Sequence, residues 1–161
     1  WRRQRIHGYV HDMGAAMLDG VSGHAGLFAN AQDIAIIMQM LLNGGYYGGE
    51  QFIQPQTVQT FTTRHPQETR RGIGFDMKQL DGNRSMNMSS LASPKTFGHP
   101  GFTGTFTFAD PEHNIVYVFL SNRTYPSMNN RKLYQLDTRE RIHSVIYQAM
   151  QEGESLVSTG G

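Results

Sequence analysis

The feature that most narrows the folds open to this chain is the block from Phe97 to Leu120. Phe102, Phe106 and Phe108 share one parity, and Thr103, Thr105 and Thr107 share the other. That is the period-two pattern of a strand with one apolar face. Asp110-Pro111-Glu112-His113-Asn114 gathers residues that favour turns. Ile115 to Leu120 is then continuously apolar, with β-branched and aromatic members, as in a strand buried on both faces. The block predicts an antiparallel hairpin inside a larger layered structure.

Helices are predicted on either side of it. Ile34, Ile37, Met38, Leu41 and Leu42 form one apolar stripe at helical spacing. Asn30 stands where it can cap this helix, Asp33 follows three positions on, and Gly44-Gly45 ends it. Met38 and Met40 read as core. A shorter helix is predicted over residues 55–62, with Pro55 in its first turn and Val58 and Phe61 inward. A last helix is expected over about residues 131–150, with Ile142, Val145, Ile146 and Ala149 on its buried stripe. Residues 72–77 read as a short strand and residues 79–95 as a polar loop. The segment Gly20-Val21-Ser22-Gly23-His24-Ala25-Gly26 is too rich in glycine for a helix interior, because each Gly costs about 1 kcal/mol relative to Ala there. Residues 153–161 read as a flexible tail.

The chain has 161 residues, enough to bury a core. Its formal net charge is +1 and only 17% of residues are charged. This near-neutral balance argues against a nucleic-acid or anionic-membrane surface, which needs clustered cations. No run approaches the ~20 apolar residues of a membrane span. With no cysteine, disulfides, thiolate metal sites and thiol nucleophiles are excluded. The first residues, Trp1-Arg2-Arg3-Gln4-Arg5, have no initiator Met and no apolar signal core, so the chain reads as a processed or excised piece.

Seven histidines raise the question of a metal. A site built from His11, His24 and His99 has no support from spacing, and no cofactor is expected. Arg70-Arg71 reads as a solvated pair. His11 and Asp12 read as fixing local backbone, and His24 as satisfying buried polar groups. Gly20-Val21-Ser22-Gly23-His24 nearly spells the Gly-x-Ser-x-Gly elbow, but His24 stands where Gly is required. Ser22 is therefore read as a loop hydroxyl. Phe97-Gly98-His99-Pro100-Gly101-Phe102-Thr103-Gly104-Thr105 leaves two readings open. It is a plain strand start after a turn, or an ionisable edge beside a glycine where a backbone N–H can approach a ligand oxygen, as an oxyanion donor must.

Three stretches carry a resemblance. They are Gly8-Tyr9-Val10-His11-Asp12 leading into residues 20–28 and the Ala31-x-Asp33-Ile34-Ala35 helix start, then Arg71-Gly72-Ile73-Gly74-Phe75-Asp76, then residues 97–105 with Asp110-Pro111 and Leu120-Ser121-Asn122-Arg123. In this order they resemble the serine β-lactamase, penicillin-binding-protein and esterase family. The nearest branch is that of the β-lactamase-related serine hydrolases, some of which are fused behind a glycoside hydrolase family 3 domain.

The resemblance implies an α+β fold of α/β-sandwich type, an antiparallel sheet packed with helices, present here in part. Residues 1–152 would be the carboxy-terminal half of that domain, with 1–70 a remnant of its helical lobe and 71–152 its sheet strands and closing helix. The family uses a Ser-x-x-Lys nucleophile and base, a Tyr-x-Asn or Ser-x-Asn element, and a Lys-Thr-Gly or His-x-Gly strand. Only the last has a counterpart here, His99-Pro100-Gly101. No Ser-x-x-Lys exists in the chain, and Ser85-Met86-Asn87 reads as a chance match.

By the family's register His99 and the backbone N–H of Phe102 (an oxyanion donor) would be catalytic. Gly101, Thr103, Asn122 and Arg123 would line the substrate site. A Lys at the place of His99 would be a fixed cation for a substrate carboxylate; an imidazole is not a permanent cation at neutral pH. The substitution points toward esterase or peptidase-like chemistry on a small acyl, peptide or cell-wall-derived substrate. The resemblance further implies a periplasmic or secreted location, and a nucleophile on a missing amino-terminal half, so that this piece alone is inactive. An open sheet edge would favour a homodimer. The alternative is a non-catalytic module that binds glycan or cell wall beside a glycosidase.

Overall fold

A computed structural model describes residues 4–68, 70–81 and 88–159, with side chains as far as residue 153. Ser85-Met86-Asn87 lies outside the described residues. The chain divides into two compact units, Trp1–Asn30 and Ala31–Gly161.

In the first unit the short helix α1 (Met13–Met17) begins at Asp12, whose Oδ1 accepts the Ala15 N–H at 2.8 Å. This is the capping role expected of an Asp just ahead of a helix. The glycine-rich stretch at 20–26 adopts neither helix nor strand, as its composition predicts.

The second unit runs α2 (Ala31–Leu42), β1 (Tyr46–Tyr47), β2 (Glu50–Gln51), α3 (Pro55–Thr62), β3 (Asp76–Met77), β4 (Phe97–Pro100), β5 (Phe106–Asp110), β6 (Ile115–Phe119), α4 (Lys132–Gln135) and α5 (Thr138–Thr159). β1 and β2 form a small hairpin across Gly48-Gly49. The main sheet has the order β3-β4-β5-β6, antiparallel throughout.

Alternation along the strands gives the sheet two buried faces. Phe97 and Ala109, paired across β4 and β5, join Met38 and Met77 in one cluster, with Ile34, Leu41 and Val116 packed around it. α2 covers this side. Phe106, Phe108, Ile115 and Tyr117 point the other way and meet Met88 and Tyr147, flanked by Ile146 and Met150 of α5. The result is a helix–sheet–helix sandwich, the α+β arrangement expected. The apolar run 115–120 is explained by it, since β6 sends Ile115 and Tyr117 to one face and Val116 to the other.

Several expectations need correction. Residues 97–105 are not one strand. β4 stops at Pro100 and the chain reverses, with the Gly101 N–H donating to Thr105 O at 2.8 Å and the Gly104 N–H to Gly101 O at 3.0 Å. Glycine permits this turn. Gly104 has φ +102°, and a Cβ there would strike the Ser121 hydroxyl and Leu133, while one on Gly101 would strike the Thr105 hydroxyl. His99 thus stands one residue before the end of β4 and Phe106 begins β5, with Phe102 and Thr103 in the turn between.

The strand predicted over 72–77 shrinks to β3, because Gly74, at φ +84°, turns the chain so that Arg71 bridges Asp76. The closing helix is two helices. Asp137, at φ +49°, separates α4 from α5, and α5 continues to Thr159, into the segment read as a tail. Its buried stripe is Arg139, His143 and Tyr147 at four-residue spacing, whereas Ile142 and Val145 are exposed. Ile37 and Phe61 are also exposed. Within the second unit α2 packs on β5 and β6.

Candidate functional site

At the end of β4 the exposed His99 pairs in register with Thr107 of β5. Its Nδ1 lies 2.7 Å from Pro100 O, and a carbonyl can only accept, so this nitrogen carries the hydrogen. Its Nε2 lies 3.3 Å from Nη1 of Arg71, which can only donate. Both contacts require the same tautomer, Nδ1–H with a lone pair on Nε2. Arg71 in turn pairs with Asp76 through the same Nη1, and Arg70 Nη1 reaches the other oxygen of Asp76 at 2.8 Å. Asp76 is only 3% exposed. Arg70 and Arg71, read from sequence as a solvated pair, are instead two guanidiniums anchored on one buried carboxylate beside His99.

The turn after β4 is held from outside and from below. The Arg123 N–H donates to Thr103 O at 2.8 Å. The Arg123 guanidinium lies over the exposed Phe102 ring, with Cζ 4.5 Å from its centroid. It also donates through Nε to the Tyr134 hydroxyl at 3.1 Å and through Nη1 to Met128 O at 3.0 Å. Below, Arg139 is 3% exposed, and its Nη1 sits 3.4 Å from both Gly104 O and Thr105 O. Arg139 also lies over the rings of Phe106 and Tyr134. Burial lowers the pKa of Arg139 from its usual value.

The expected site residues therefore divide. Gly101, Phe102, Thr103 and Arg123 come together in one turn and its clamp, and His99 stands at the strand end leading into it. Asn122 is exposed, and its Oδ1 accepts the Thr124 hydroxyl at 2.7 Å. Arg123 touches the turn, so its contacts are those of a clamp. Arg71 and Arg139 are the residues that sequence reading missed. Neither could be found by periodicity: Arg71 reaches His99 across 28 positions, and Arg139 looks like a surface residue at a helix start.

Two other histidines sit in polar clusters. In the first unit His24 is exposed, with Nδ1 2.7 Å from the Ser22 hydroxyl and Nε2 2.8 Å from Asp12 Oδ1. His24 thus does not satisfy buried groups, contrary to expectation. Asp12 is held below the usual carboxylate range by the Ala15 N–H, then by His24. The row of Ser, His and Asp has its ring nitrogens the reverse of a serine-protease triad, where Nε2 faces the serine. The same Asp12 oxygen also caps α1.

His143, in the second unit, is 1% exposed and stacks on Tyr117, centroids 4.8 Å apart. Burial pushes its pKa down to about 4. Nearby, Asp110 accepts hydrogen bonds from Ser93 N–H and Oγ (2.9 and 2.6 Å), the Tyr147 hydroxyl (2.7 Å) and His113 Nδ1 (2.9 Å). Burial alone would raise the Asp110 pKa, but these bonds hold it far below the usual range. Among the described residues no three His, Asp or Glu side chains group as metal ligands. Nor is any helix among them long and apolar enough to cross a membrane.

Comparison with known proteins identifies the family. The family model described as Beta-lactamase matches residues 2–140. A protein of Salmonella agona (strain SL483) named "Putative D-alanyl-D-alanine carboxypeptidase" is 43% identical over 135 residues, which cover 82% of this chain and 31% of that protein. Proteins of the same name from Salmonella paratyphi B and Salmonella newport are 42% identical over the same shares. The chain spans about a third of the length of these relatives. With the family model covering most of its residues, the chain belongs to the serine β-lactamase and penicillin-binding-protein family.

Proposed function

We propose that this chain forms one wall of an acyl-transfer cleft in a serine carboxypeptidase that acts on peptides ending in D-alanyl-D-alanine. The observation that carries the reading is the reversal after β4. It puts His99 at a strand end, the Phe102 N–H in a glycine-built turn, and a clamp from Arg123 and Arg139 around that turn. Catalysis by such a wall needs donors fixed before charge develops on the substrate oxygen, and a turn pinned from two sides supplies that rigidity. The relatives' shared name supports the substrate class.

In this reading the attacking serine and its lysine lie elsewhere in a longer polypeptide, as the 31% coverage of the relatives allows. The serine hydroxyl would attack the carbonyl of the penultimate D-alanine and form an ester as the terminal D-alanine leaves. Water would then cleave the ester and return the free serine. The Phe102 N–H would be one donor to the oxyanion in both steps. His99, whose Nδ1–H is engaged by Pro100 O, would act by shaping the wall. A cell-wall substrate also implies a periplasmic or extracellular location.

The test compares this 161-residue chain with the longer polypeptide that contains it. A fluorescent penicillin should label the longer polypeptide covalently, and D-alanine should be released from an acyl-D-alanyl-D-alanine peptide. The short chain should show neither, and a fluorophosphonate should not label Ser22. A longer polypeptide that binds glycan without any turnover would overturn the reading.

A further inference from the structure

We infer that the β1–β2 hairpin is a second binding site, and that it takes a primary ammonium carried on an alkyl stem, as in the lysine side chain of a peptide. The hairpin shares no residue with the acyl-transfer wall, so neither reading depends on the other.

The hairpin is held in one shape. Gly48 and Gly49 have φ of +59° and +94°, the two positive values that a two-residue type I′ turn needs. Gln51 Nε2 ties the strands at their root by donating to Gly44 O at 2.9 Å and to Ile53 O at 2.5 Å. The Phe52 N–H donates to Gly45 O at 2.9 Å, which carries the pairing one residue beyond β2.

Register then decides which side chains share a face. Tyr47 pairs with Glu50, and direct partners across an antiparallel ladder point the same way. Phe52, two residues after Glu50, joins them. Opposite Phe52 stands Gly45, which adds no side chain and where a Cβ would strike Ile53 O. Tyr47, Glu50 and Phe52 are all exposed, Phe52 by 61%. Tyr47 and Phe52 are diagonal neighbours, a relation that spans about 7–8 Å. That is twice the carbon contact distance of about 3.5–4 Å, so one alkyl stem fits between the rings.

Charge selects the occupant. Among the described residues Glu50 pairs with no cation, and neither ring packs on another ring or under a cation. A carboxylate beside two free π faces is complementary to positive charge. A primary ammonium suits this face better than a quaternary one, because it has N–H groups to donate to the carboxylate. Its stem lies along the rings while its head stays at Glu50, as long cationic side chains do on apolar surfaces. A hairpin already fixed by its turn and by Gln51 loses little freedom when the ligand arrives.

Nuclear magnetic resonance on the isotope-labelled 161-residue chain tests this. The probes are Nα-acetyl-lysine methylamide, the same compound acetylated on its side-chain nitrogen, choline, and chitotriose. The first should shift the Tyr47, Glu50 and Phe52 signals, with saturation in the millimolar range, and less so as salt is added. The acetylated compound keeps the stem but lacks the charge, and should bind more weakly by about two- to fivefold. Choline should also bind more weakly than the lysine compound. Glu50→Gln and Phe52→Ala should each weaken lysine binding about two- to fivefold. Equal responses to the charged and acetylated compounds, or unchanged binding by Glu50→Gln, would overturn the inference. Tighter binding of choline would overturn the choice of a primary ammonium, and shifts by chitotriose alone would make the hairpin a sugar site instead. If a variant fails to fold, the charged and acetylated pair on the unaltered chain decides.

Discussion

Two histidines of the same sandwich are used in opposite ways. His143 lies under the sheet, stacked on Tyr117, beside a carboxylate that every neighbour donates to. His99 lies at the open end of β4, with one nitrogen on backbone and the other on a guanidinium whose charge is only partly balanced. The buried cluster is closed at its centre: Asp110, Ser93 and Tyr147 are buried and bonded to one another, and the turn residues Glu112 and His113 cap the carboxylate from the surface. The exposed cluster is open on one side. A closed polar network fixes a single packing arrangement, whereas an open one has donors left for a ligand.

Disturbing the closed cluster should cost the most stability. Asp110→Ala would strand the Tyr147 hydroxyl and the Ser93 N–H in the core. A loss of about 3 kcal/mol or more is expected, seen as a lower urea midpoint. Arg71→Gln, on the exposed side, should shift the same midpoint by less than about 1 kcal/mol. Equal losses would mean that the two clusters do the same job.

Acid should act on the closed cluster next. His143 protonates near 6.5 in the unfolded chain and near 4 in the folded one. Between those values the unfolded state binds more protons, so stability falls as pH drops from about 6.5 to 4, by an amount on the order of 3 kcal/mol. Asp110, lowered by its hydrogen bonds, adds a loss in stronger acid, below the ordinary carboxylate range. Urea melts from pH 7 to 4 would check this, and His143→Phe should flatten the slope. A slope unchanged in that variant would place the titrating group elsewhere.

A smaller loss than that of Asp110→Ala is expected at the turn that leads from the open cluster. Gly104→Ala places a Cβ against Ser121 and Leu133 at a positive φ, and should cost about 1–3 kcal/mol. The signals of Phe102 and Thr103 should move while those of Tyr117 and His143 stay. Movement at His143 would show that turn and core are one cooperative unit.

Much of this fold is legible in the order of its residues. The alternation at 106–108, the apolar run at 115–120 and the Asp-Pro turn fixed a hairpin buried on both faces, because side-chain parity and turn chemistry are local properties. The stripe of α2 and the proline start of α3 were legible for the same reason. The three motif stretches placed the chain in its family, since their order survives even where single residues vary. Tertiary structure alone decided the rest. The buried stripe of α5 is led by Arg139, His143 and Tyr147, polar side chains that a search for apolar periodicity passes over. Their burial is tolerable because distant segments pair with them: Gly104 O and Thr105 O of the turn receive Arg139, Asp110 of β5 receives Tyr147, and the Ser89 N–H donates to His143. Arg71 became part of the site because β3 and β4 pair antiparallel, and that pairing carries a guanidinium to a histidine 28 residues away. Charge and hydrogen-bond partners are set by distance in space, and a linear pattern records only distance along the chain.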